Sequence, residues 1–72
     1  VVYERYAKAI EKALGGIVQR ERYDVDIVEI WVETSIPQDL IVEIVEKFPL
    51  QLPEALHSIT SGEKIIWKRK NG

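Results

Sequence analysis

Apolar residues recur at helical spacing at the start of the chain. Tyr3, Tyr6, Ala7, Ile10, Ala13 and Leu14 share one face, and Glu4, Arg5, Lys8, Glu11 and Lys12 share the other. The pattern predicts an amphipathic helix over 2–14, with Glu4 four residues before Lys8 in the favourable order for a helical ion pair. Gly15 and Gly16 are expected to end it, because glycine accepts the left-handed C-terminal conformation without steric cost. Residues 17–23 have no clear period and fit an edge strand or a loop. Over 25–33 the period becomes two. Val28, Ile30 and Val32 fall on one face, and Val25, Ile27, Glu29, Trp31 and Glu33 on the other, which predicts a strand half covered on its acidic side.

Ser35-Ile36-Pro37-Gln38 reads as a helix start, with Ser35 and Gln38 forming a capping box and Pro37 in the first turn. Ile36, Leu40, Ile41, Ile44, Val45 and Phe48 make one apolar stripe, and Pro49 stops it. Pro53 is expected to open a short helix through Ile59, burying Ala55, Leu56 and Ile59. Ser61-Gly62 turn the chain into a last strand over 63–69, with Ile65 and Trp67 on one face and Lys64, Ile66 and Lys68 on the other. The expected order is helix, optional strand, strand, helix, short helix, strand. Trp31 beside Ile66 would set Glu29 and Glu33 across from Lys64 and Lys68, pairs worth a few tenths to about 1 kcal/mol each. A helical crossover between these strands favours parallel pairing. The fold class is α+β: a small two-layer domain, two or three strands packed on one face by two long helices and one short one.

The chain has 72 residues, enough for one small domain over 1–72. Cysteine is absent, so no disulfide or thiolate metal site supports so small a core. The chain is rich in Ile and Val, 31% charged, lacks Met and has one Asn, a composition that resembles heat-resistant proteins. No stretch is long enough to span a membrane, and no basic-then-apolar leader is present, so a cytoplasmic setting is expected. The first residue is Val1, as expected of a chain trimmed or excised from a longer protein. Between Glu21 and Glu54 nine acids stand against Arg22 and Lys47, whereas the last eleven residues carry a net +3.

Asp24-Val25-Asp26 is the sharpest chemical candidate: on a strand both carboxylates point to one side and could share a divalent ion. Acidic pairs also mark ordinary strand ends, and no phosphate-gripping loop precedes this one. His57 has no second His, Cys or carboxylate at ligand spacing and reads as a surface residue. Ser58, Thr60 and Ser61 lack nucleophile-elbow glycines. Lys64, Lys68, Arg69 and Lys70 beside Trp67 could track a phosphate backbone, extended by Arg20 and Arg22 if 17–23 is a strand; equally, they could solubilise a terminal strand. Tyr3 and Tyr6 are expected in the core. Trp31, flanked by Glu29 and Glu33 on a half-covered face, is a candidate interface anchor.

Two families are resembled in part. The expected element order resembles the second type of KH domain, an RNA-binding fold that grips the backbone with a Gly-x-x-Gly loop; the matching junction here, Glu46-Lys47-Phe48-Pro49-Leu50-Gln51-Leu52-Pro53, has no glycine. The segment from Pro53 to Arg69 is similar to the last helix and strand of minimal nucleotidyltransferase-like proteins, and Asp24-Val25-Asp26-Ile27-Val28 to one of their strands. That family's Gly-Ser phosphate motif is missing, so the resemblance implies a degenerate or partial domain. The expectation from the residues is a non-enzymatic interaction or assembly module, self-associating through the Trp31 side. No cofactor is implied, and the alternative is a nucleic-acid module on the basic C-terminal strand.

Overall fold

In the computed structural model, which describes residues 3–69, the first helix runs through its glycines. Helix α1 spans Tyr3–Gln19, and Ala7, Ile10, Leu14 and Ile17 are its buried residues. Spacings of three, four and three carry the apolar stripe one turn past Leu14. Burying the Ile17 side chain is worth roughly 1.5–3 kcal/mol, which offsets the ~0.5–1 kcal/mol that each interior glycine costs. The left-handed residue falls at Glu21 instead, at φ 64°. Residues 17–23 are therefore a helix end and a turn, not an edge strand.

The segment expected as one long strand divides in two. Strand β1 is only Asp24–Asp26, and helix α2 follows at once over Ile27–Thr34. Asp26 is the hinge. Its carboxylate accepts the Val28 amide at 3.0 Å, and the Glu29 carboxylate returns to the Asp26 amide at 3.3 Å, completing a capping box. Ser35 closes α2 in the left-handed conformation, φ 62°, donating its amide to the Trp31 carbonyl at 2.7 Å. It is thus a C-terminal residue of α2 and not the N-cap of the next helix. Helix α3 spans Gln38–Lys47 behind Pro37, which has no capping side chain. Its stripe is as the sequence predicts: Ile36, Ile41, Ile44 and Val45 are buried, with Leu40 and Phe48 packed against them.

The helix expected from Pro53 through Ile59 does not form. Residues 48–57 run irregularly, held by the packing of Leu50 and Leu52 and the full burial of Leu56, while Ala55 is exposed. Strand β2 (Ser58–Ser61) and strand β3 (Lys64–Lys68) form a hairpin. Gly62 opens its two-residue loop at φ 63°, a backbone conformation that favours glycine at the first loop position. The observed order is helix, strand, helix, helix, strand, strand.

The three strands form one mixed sheet in the order β1-β2-β3. β1 and β2 are parallel, with Val25 beside Ile59, and are joined through α2 and α3 as a parallel pair requires. β2 and β3 are antiparallel, Ile59 beside Trp67 and Thr60 beside Ile65. The irregularity between those pairs lets Ile66 and Trp67 both pack on the core and leaves Ile65 55% exposed. The simple alternation expected for this strand, and the pairing of Trp31 with Ile66, are both replaced. Helix α2 lies against β1 and β2, α3 against β3, and α1 packs across α2 and α3. The class is α+β, and one apolar cluster joins all three helices to Val25, Leu56 and Ile59. No described helix is long and apolar enough to cross a membrane.

Candidate functional site

Helix α2 is buried on one side only. Ile27 and Ile30 enter the core, but Val28 is 45%, Trp31 44% and Val32 68% exposed. Positions three and four apart are neighbours on a helix, so these three side chains form one outward patch. The sequence pattern puts Trp31 on one face with Glu29 and Glu33; because 27–34 is a helix and not a strand, Trp31 instead shares its outward face with Val28 and Val32, and Glu29 and Glu33 lie on the flank beside α1.

Beside this patch lies a shallow groove of about 280 Å3 between α2 and the end of α1, lined by Ile17, Arg20, Arg22, Val28, Glu29, Val32 and Glu33. Two ion pairs border it. Arg20 Nη2 meets Glu33 Oε1 at 2.7 Å, and Arg22 Nε meets Glu29 Oε1 at 2.7 Å. Both pairs are partly exposed and worth little to stability, a median of about 0–1 kcal/mol. Their effect is positional: each holds a long side chain upright at the edge of an apolar floor. Arg20 and Arg22 are thereby placed at this groove and do not extend the C-terminal basic strand.

Asp24 and Asp26 do project to the same side of the sheet, where they meet β2. Asp24 Oδ1 accepts the Ser58 hydroxyl at 2.8 Å. Asp26 Oδ2 accepts the Thr60 hydroxyl and the Gly62 amide, each at 3.0 Å, while Oδ1 caps α2. Both oxygens of Asp26 are occupied by donors of the fold. Among the described residues no group of three or more His, Cys, Asp or Glu could hold a metal ion.

In the basic strand, Lys64 and Lys68 are exposed, and Lys70 lies outside the described residues. Arg69 is turned inward on the chain: Nε donates to the Leu56 carbonyl at 3.0 Å and Nη2 to the Pro53 carbonyl at 2.7 Å, with the guanidinium 5.3 Å from the Trp67 ring. It fastens the irregular 53–57 segment in place of the expected helix. His57 stacks at a tilt on Tyr23, centroids 5.6 Å apart. With Asp24, Lys68 and Arg69 it lines a depression of about 330 Å3 that carries charges of both signs.

Tyr3, expected in the core, is 38% exposed, and its hydroxyl donates to Glu43 Oε2 at 2.9 Å. The Glu43 carboxylate raises the Tyr3 phenol above its ordinary pKa of 10.0, through the hydrogen bond first and its negative charge second. Glu11 accepts the Gln51 amide at 2.7 Å and ties the irregular segment to α1.

No protein-family model, curated protein or solved structure matches this chain.

Proposed function

We propose that this chain is a non-enzymatic assembly module that associates with a second copy of itself through the outward face of α2. One observation carries the reading: an eight-residue helix presents Val28, Trp31 and Val32 together to solvent. Aromatic anchors of this kind, ringed by polar groups, are the usual energetic centre of an interface. The rim argues for a copy of the same chain. A patch bordered by Arg20, Arg22, Glu29 and Glu33 holds both signs of charge and can complement itself, as a two-fold interface requires. The basic C-terminal strand supports a nucleic-acid reading less well, because Arg69 is engaged with two carbonyls and Arg20 and Arg22 with carboxylates.

Sedimentation equilibrium tests the proposal. The chain is expected to form dimers, and Val32→Lys, at a position already 68% exposed, to be monomeric with an unchanged far-UV spectrum. A chain that stays monomeric at about 1 mM, where an association worth only about 4 kcal/mol would be visible, would exclude it.

A further inference from the structure

The α2 patch has a convex and a concave part, and they lie on opposite sides of its midline. At about 100° per residue, Trp31 and Glu33 stand about 200° apart around the outward side of the helix, with Val32 midway between them. Glu33 faces α1, where Arg20 holds it. Trp31 therefore occupies the flank away from α1, and the groove of Ile17, Val28 and Val32 occupies the flank beside it.

We infer that the self-associated form is a two-fold dimer with its α2 helices side by side and parallel, each Trp31 indole seated in the groove between α1 and α2 of the other copy. This rests on the self-association proposed above and adds the occupant of the groove. The two ways of placing facing helices about a two-fold axis have different consequences. An axis across the helices makes them antiparallel and sets like flank on like flank: Trp31 on Trp31, groove on groove, and the Arg20–Arg22 edge on its own copy. That arrangement encloses two facing hollows and leaves both indoles outside them. An axis along the helices makes them parallel and sets each Trp31 flank on the partner's groove. The indole then fills the hollow of about 280 Å3, meets an apolar floor, and has the Arg20 and Arg22 guanidinium groups at its border. Those cations suit the negative face of an indole. Filling of the hollow and the contact between indole and guanidinium groups select the parallel form.

Isotope-filtered NOE spectroscopy on an equal mixture of labelled and unlabelled wild-type chain reads the contact without any substitution. Intermolecular NOEs are expected from the Trp31 indole protons to the methyl groups of Ile17, Val28 and Val32. NOEs between the two Trp31 rings, or a dimer in which Trp31 gives no intermolecular NOE, would overturn the parallel arrangement and leave self-association standing. A monomer at NMR concentration would overturn both.

Discussion

Asp26 joins three parts of the fold through one carboxylate. It caps α2 through the Val28 amide, bonds the Thr60 hydroxyl of β2 and fixes the hairpin at the Gly62 amide. The spacing Asp24-x-Asp26 was legible as two carboxylates on one side of a strand, and so they are. What they meet was not legible, because β2 arrives from 34 residues further along the chain. Loss of an N-cap costs about 0.5–2 kcal/mol, and hydrogen bonds to charged groups contribute about 1.5–3 kcal/mol each. These costs do not add in full, because the bonds share one carboxylate and two of the three are exposed, so Asp26→Ala is expected to destabilise by roughly 2–4 kcal/mol, read from urea midpoints. The loss should be the same with or without magnesium; a loss seen only in magnesium would assign Asp26 to a metal site. Tyr3 offers a second check. Its raised pKa means that the folded chain holds the phenolic proton more tightly than the unfolded chain. The stabilising contribution is then complete below the ordinary value of 10.0 and is lost as pH rises through the folded value. An NMR titration of the Tyr3 ring should place its midpoint above that of Glu43→Gln, and equal midpoints would remove Glu43 as the cause.

Among the elements, α2 departs furthest from the reading of its own sequence. Ile27-Val28-Glu29-Ile30-Trp31-Val32 alternates well enough for a strand and is rich in residues that favour one. Two signals pointed the other way: Asp26 and Glu29 at capping-box spacing before an apolar run, and Ile27, Ile30 and Thr34 at helical spacing. Tertiary packing decides between them, since Ile27 and Ile30 reach the core together only from a helix. The consequence is a helix whose Val28, Trp31 and Val32 neither favour it nor enter the core. Local disagreement of this kind concentrates where residues serve something other than the fold. Helix α1 makes the opposite point. Its extension through Gly15 and Gly16 was hidden because glycine signals an end, yet neither glycine has a positive φ and a Cβ at either would meet nothing within 4 Å. Gly15→Ala and Gly16→Ala are each expected to stabilise by about 0.5–1 kcal/mol, measured as a rise in denaturation midpoint. A fall at either position would mean that the helix ends before it in solution. The apolar stripe of helix α3 and the turn after Ser61 were legible, because a long stripe and a Ser-Gly turn are local signals that long-range contacts do not override; the start of α3 and strand β2 were not, since Ser35 closes α2 and Ser58–Ser61 pairs with β1 and β3.

At the scale of the whole molecule, thirteen buried hydrophobic residues form the core among the described residues of a 72-residue chain. A domain of this size buries only about 60% of its unfolded surface and is marginal by itself. The two ion pairs at the groove are exposed and add little, so the charged composition does not make up the difference. If folded copies associate through α2 and unfolded ones do not, mass action couples assembly to stability: a concentration about 100 times the dissociation constant contributes about 2.7 kcal/mol. For a domain of 60–100 residues each 1 kcal/mol shifts Tm by about 4–8 °C. Raising the chain from a concentration near its dissociation constant to about a hundredfold above it should therefore raise Tm by roughly 10–20 °C. Val32→Lys should melt at one temperature across the same range, because it keeps the core and loses only the partner. A wild-type Tm independent of concentration would mean that this small core is sufficient alone and that the α2 patch contributes nothing through a second copy.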